Sequence, residues 1–180
     1  MKILKYIGLG ILGVIVLVLL VAAFAKKEYA VERQIVINKP KSEVFGYIKM
    51  LKNQDNYSVW AQRDPNMKKE YRGEDGTVGF VSAWDSQNEH VGKGEQEIKK
   101  IVEGERIDFE LRFYKPFEST EPAYMITETV TDNQTTVKWG FSGKMKYPMN
   151  LMLLFMNMEE MLGKDFEQGL TNLKNNIEKQ

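Results

Sequence analysis

The sequence predicts an α+β domain carried behind one apolar helix, on three observations. Tyr6 to Ala25 contain no charged side chain and are bracketed by Lys5 and by Lys26-Lys27. Lys68 to Ser142 read as a run of short apolar segments separated by Gly, Asp and Asn turns, the pattern of antiparallel neighbours rather than of βαβ crossovers. From Pro148 onward the apolar spacing changes to three and four, which is helical.

The first segment sets the location. A helix of roughly twenty residues is about 30 Å long, the thickness of a bilayer's hydrocarbon core. Residues 1–28 therefore read as a membrane anchor, with Tyr6 and Ala25 as its bounds, plus a short linker; residues 29–180 read as the water-soluble domain. A cleaved signal peptide is the competing reading, because Lys2 and Lys5 make a positive n-region and Ala23-Phe24-Ala25 has the small-x-small form. Against it, the apolar core exceeds the roughly 7–15 residues usual in such peptides. Two lysines flank each end, so the amino terminus tips the balance toward a domain outside the cytoplasm. Gly8-Leu9-Gly10-Ile11-Leu12-Gly13 matches the G-x-G-x-x-G string, but it lies inside a continuous apolar helix and not after a strand, so it carries no dinucleotide-binding meaning.

In the soluble part, Val31, Arg33, Ile35 and Ile37 alternate with Glu32, Gln34, Val36 and Asn38, a strand with one buried face. Pro40 stands where a first helical turn tolerates it, and Val44, Phe45, Ile48 and Leu51 follow at helical spacing. Asn53–Asn66 is polar apart from Tyr57, Val59 and Trp60, an irregular segment or single turn that carries an aromatic inward. Six strands are expected next: Lys68–Arg72, Thr77–Trp84, His90–Val102, Arg106–Phe113, Ala123–Thr131 and Thr135–Ser142. One long amphipathic helix then runs from Met152 through Phe155, Met158, Leu162, Phe166, Leu170 and Leu173 to Ile177. A one-faced sheet and a long one-faced helix bring their apolar surfaces together.

Composition excludes several chemistries. The chain has 25 basic and 25 acidic residues and a formal charge of +0, without the basic excess of a nucleic-acid binder. It has no cysteine and one histidine, His90, which excludes disulfides, thiol nucleophiles, Cys-zinc sites and multi-histidine metal centres. No motif in it calls for a cofactor.

The element order, together with Ile35-Val36-Ile37-Asn38-Lys39-Pro40, Trp60 ahead of Asp64-Pro65-Asn66-Met67-Lys68, Trp139-Gly140-Phe141, Pro148 to Met152 and Gly163 to Lys174, resembles the START/Bet v-like (SRPBCC) superfamily. It is most similar to the polyketide cyclase/dehydrase and lipid transport branch. The resemblance covers about residues 29–178 and implies a helix-grip fold: a curved seven-stranded antiparallel sheet around a long C-terminal helix, with a cavity between them for an apolar ligand. It does not imply a reaction, because this fold hosts binders, carriers and enzymes alike.

The expected cavity wall comprises Trp60, Trp84, Phe109, Phe113, Trp139, Phe141, Met152, Phe155 and Met158, side chains that also suit an ordinary core. Six of the ten methionines fall between Met145 and Met161. If Ile98 faces inward, Gln96 and Gly94 do too, which places an amide inside with a gap beside it, while Glu95 and Glu97 face out. The expected partners are a hydrophobic small molecule or lipid and the membrane. An enzyme would draw on Tyr124, Glu128 or His90; a tethered interaction module would use the aromatic turn Tyr114-Lys115-Pro116-Phe117.

Overall fold

The computed structural model describes residues 2–179. Helix α1 (Lys2–Phe24) is apolar over Lys5–Phe24, with a mean hydropathy of 3.0, and is long and apolar enough to cross a membrane. Among the described residues its apolar side chains are exposed all round and only Ala22 is covered, so it finds an apolar surrounding only in lipid or against another chain. Gly8, Gly10 and Gly13 sit inside this continuous helix with open space beside them.

Strand β1 (Glu28–Ile37) begins after only three residues. It is followed by α2 (Lys41–Lys49), a 3-10 turn (Leu51–Asn56) and the single-turn α3 (Val59–Arg63). The strands β2 (Lys68–Arg72), β3 (Val81–Asp85), β4 (Lys93–Val102), β5 (Arg106–Lys115), β6 (Ser119–Thr131) and β7 (Gln134–Lys144) complete one antiparallel sheet in the order β1-β7-β6-β5-β4-β3-β2. All seven expected strands are present. Two start later than their apolar patterns suggest. Thr77 to Phe80 form a turn in which Gly76 and Gly79 take left-handed φ values of 78° and 89°, a conformation that favours glycine, so β3 opens at Val81. Asn88 to Gly92 likewise turn, with the His90 N–H donating to Asn88 Oδ1, and β4 opens at Lys93.

Period-two alternation sorts the sheet. The concave face carries Val31, Ile98, Ile107, Phe109, Met125, Val137 and Trp139, all buried. The convex face carries ion pairs, with Arg112 bridging Glu95 at 2.7 Å and Glu97 at 2.8 Å. Glu95 and Glu97 therefore face outward as expected.

The expected single C-terminal helix is broken. A 3-10 turn (Met149–Leu154) is followed by α4 (Met158–Glu178), and Phe155 to Asn157 belong to neither. Asn157 causes the new start: its Oδ1 accepts from the Glu160 N–H, satisfying one of the orphan donors of the first turn. Apolar periodicity crosses this break because both pieces turn an apolar side to the same interior.

Helix α4 buries Phe166, Leu170, Leu173 and Ile177. Phe166 stacks on Trp139 with centroids 4.8 Å apart and rings 6° from parallel, and Trp60 of α3 meets both edge-on. Gly169 lets the helix come this close: a Cβ there meets the Trp139 ring at 2.9 Å. Gly163 does the same for Arg33 of β1, whose Nε binds Glu167 at 2.7 Å.

Two glycine substitutions should act in opposite directions. Gly169→Ala forces apart a ring held on two sides and is expected to destabilise by about 1–2 kcal/mol. Gly46→Ala, in an exposed turn of α2 with nothing within 4 Å of its Cβ position, should stabilise by about 0.5–1 kcal/mol. Chemical or thermal unfolding of the two variants reads both signs.

Candidate functional site

The aromatic contact decides where the interior stays open. Phe166, Leu170, Leu173 and Ile177 of α4 are buried in the core, while Met158 and Leu162 in the preceding turns border open space. Between them, the concave face and the 3-10 turn Met149–Leu154 lies a cavity of about 1140 Å³, at the upper end of or beyond the roughly 300–1,000 Å³ typical of small-molecule pockets. Trp60, Trp84, Gln96, Phe113, Trp139, Phe141, Met152 and Met158 line it, so most of the expected wall is brought together.

Two expected wall residues are elsewhere. Phe109 is 3% exposed in the sealed core, two strand positions deeper than Leu111, which lines the cavity. Phe155 is 88% exposed: it follows the 3-10 turn at the break before α4, and so points away from the sheet instead of continuing the inner face of a helix. The gap expected beside Gly94 is also absent. The Trp84 ring occupies it, with a Cβ on Gly94 falling 2.7 Å from a ring carbon.

Three of the polar groups that line the cavity are aligned. Cross-strand pairing places Ser82 opposite Gln96, Gln96 opposite Leu111 and Leu111 opposite Glu121, one row across β3 to β6. Ser82, Gln96 and Glu121 all line the cavity. Gln96 is 7% exposed, and among the described residues its amide side chain has no hydrogen-bond partner. Glu121 is 8% exposed. Burial pushes its carboxyl above the usual range, while a backbone hydrogen bond at Lys144 and the charges of Lys144 and Lys146 pull it back. Burial, with the nearby Glu121 charge, also raises Tyr29, which shares this end of the cavity.

Glu121 escaped the sequence reading. Its signal is the alternation Glu121, Ala123, Met125, Thr127, all buried on the concave face, but the apolar pattern starts the strand only at Ala123. The same register puts Tyr124 and Glu128 on the convex face. There the Tyr124 hydroxyl donates to Glu32, and Glu128 pairs with Lys138 at 2.6 Å. His90 is exposed at the cavity rim. None of the three projects into the interior. Among the described residues no cluster of three or more His, Asp or Glu side chains is arranged to hold a metal ion.

No family model matches the sequence, and no curated protein does. Solved structures match in shape. TTHA0849 from Thermus thermophilus is 15% identical, with a TM-score of 0.57 over 83% of this chain and 97% of its own. The Aha1 protein from Colwellia psychrerythraea, solved as a dimer, is 12% identical, with a TM-score of 0.55 over 83% and 96%. Ara h 8.0201 is 12% identical, with a TM-score of 0.54 over 85% and 99%. This likeness establishes the fold alone, a Bet v-like helix-grip fold behind an apolar N-terminal helix.

Glu121 makes a pH prediction whose sign is definite. A carboxyl with a raised value in the folded state binds its proton more tightly there than in the unfolded chain, so stability falls as pH rises from about the ordinary value of 4.5 through the raised one. Glu121→Gln removes that loss. Melting curves of variant and parent should converge at acid pH and separate toward neutrality, with the variant the more stable.

Proposed function

We propose that the chain is a membrane-anchored domain, of the lipid-transport kind within the SRPBCC superfamily, that holds a hydrophobic small molecule or lipid without chemical turnover. One observation carries this reading: the cavity of about 1140 Å³ has a wall rich in aromatic, methionine and leucine side chains, with the polar row Ser82, Gln96 and Glu121 across β3 to β6. Its size and lining fit an elongated apolar ligand whose polar end meets Gln96, Ser82 or Glu121. The Gln96 amide faces the cavity, where a bound polar end can partner it. Trp60, Trp84, Phe113, Trp139, Phe141, Met152 and Met158 then contact the ligand body.

Catalysis is the weaker reading. Tyr124 and Glu128 lie on the convex face and His90 is exposed at the rim, and the interior carboxyl Glu121 has Tyr29 as neighbour. That phenol, raised by burial, stays protonated at neutral pH and serves as a donor, not a base.

An uncleaved anchor fits better than a signal peptide. Cleavage after Ala25 would remove carbonyls of Ala22 and Ala25 that accept from the buried Asn150 amide at 2.7 and 3.2 Å, leaving that donor with less than it has. The division into an anchor over 1–28 and a ligand-binding domain over 29–180, placed outside the cytoplasm, completes the proposal.

Native mass spectrometry of the full chain released from detergent tests it. Parent protein should carry an apolar adduct, and Leu111→Trp and Leu162→Phe, which fill the cavity from opposite walls, should each lower its occupancy several-fold. Because the added atoms enter open space, both variants should lose less than about 1 kcal/mol of stability, below the 1–3 kcal/mol cost of overpacking a filled core. Adduct retained at the parent level by both variants, or strong destabilisation by both, would overturn the reading.

A further inference from the structure

The cavity mouth and the end of the apolar helix are tied together. The Asn150 amide, fully buried, donates to the carbonyls of Ala22, Ala25 and Lys26 at the end of α1, and the Met145 N–H donates to the Lys27 carbonyl at 2.8 Å. These bonds hold the segment from Met145 to Leu154 at the level where α1 ends. Its apolar side chains point outward: Tyr147, Met149 and Leu154 are each about half exposed, and Phe155 is 88% exposed. A soluble surface does not gather such side chains without a use for them.

Sheet topology brings a second apolar tip to the same edge. Glu28 at the start of β1 pairs with Lys144 at the end of β7, and β6 runs antiparallel to β7 from its start at Ser119. The β5–β6 hairpin turn therefore lies at the edge of the sheet nearest α1, and Phe117 in it is 70% exposed. Phe117, Lys146, Met149 and Met152 all line the cavity. The opposite end of the sheet is closed by buried Ile98, Ile107, Val137 and Ile177. Lys26, Lys27, Lys115 and Lys146 sit around the α1 end of the cavity, and among the described residues none of them has an ion-pair partner.

We infer that this rim is a membrane-contact site: Phe117 and the Tyr147–Phe155 segment enter the interface of the bilayer that α1 spans, so the cavity opens onto lipid and takes its ligand from the membrane and not from water. The occupant is the lipid bilayer. Continuity with α1 sets the depth, since the last turn of a spanning helix lies at the headgroup boundary. The composition agrees, with an interfacial tyrosine, apolar tips and lysines that reach phosphate. The inference rests on the proposed function for its ligand and on α1 as a retained anchor for its geometry.

The chain has no cysteine, so single cysteines report alone. Spin labels at Phe155→Cys, Phe117→Cys and, at the far end of β6, Val130→Cys are to be measured in the full chain reconstituted in phospholipid vesicles containing anionic lipid. Power saturation with oxygen and a water-soluble nickel chelate reads depth. Labels at 155 and 117 should favour oxygen over nickel by several-fold relative to 130. Equal, nickel-accessible labels at all three positions would overturn the contact, and so would spin–spin broadening at 155, which marks a second copy of the chain as the occupant. Adduct occupancy measured in parallel separates the two claims. Occupied protein with aqueous labels defeats the membrane contact and leaves the carrier; lipid-facing labels on protein that never binds an apolar molecule defeat the carrier and leave the contact.

Discussion

The stack of Phe166 on Trp139 is the constraint on which the rest of the molecule depends. It joins the middle of α4 to β7, the strand beside the β1 edge, at 4.8 Å between ring centroids, and the edge-on Trp60 adds a third wall. Aromatic pairs of this kind contribute about 0.5–1.5 kcal/mol each beyond the area they bury. Their larger effect is geometric. Phe166 and the residues that follow it on the same helix face, Leu170, Leu173 and Ile177, are core, whereas Met158 and Leu162 before it border the cavity, although Arg33 of β1 still meets this part of the helix at Glu159 and Gly163. The cavity is thus bounded by the N-terminal turns of a helix that β1 holds from Glu159 to Glu178.

Breaking the chain at Phe155 to Asn157 keeps that space from being filled. A continuous helix from Pro148 would carry Phe155 onto the sheet and add an aromatic to the interior. Instead the Asn157 cap starts α4 afresh, and Asn150 draws the preceding turn toward the end of α1. Asn150 does so at a cost, because its Oδ1 is buried without a partner among the described residues, a loss of about 1–3 kcal/mol. Three accepting carbonyls offset it on the donor side. The pair of asparagines thus links the open interior and the position of the soluble domain relative to its apolar helix through one short segment.

Much of the fold was legible because it follows from spacing. Seven strands, the short α2, the helical C-terminus and the apolar N-terminal helix all declare themselves through periods of two, three and four or through an uncharged run. So do the charged exterior of Glu95 and Glu97 and the inward Gln96, which follow from alternation once Ile98 is placed inside. Glu121 was lost to a strand boundary set four residues late, and the gap expected beside Gly94 ignored the reach of Trp84 from the neighbouring strand. The helix break escaped because an N-cap within an apolar repeat leaves the repeat intact on both sides.

By itself the sequence determined the order of the elements, the inward side of β1 and β4, the absence of thiol and multi-histidine chemistry, and one segment suited to lipid. Those are properties of neighbours in the chain, and periodicity records them. The tertiary structure alone decided that Phe109 is core while Leu111 lines a cavity, that Phe155 faces out, that Glu121 lies inside, and that Asn150 ties the cavity mouth to α1. Each depends on distances between residues far apart in the chain, set by how closely two curved surfaces approach, and no local pattern encodes that separation.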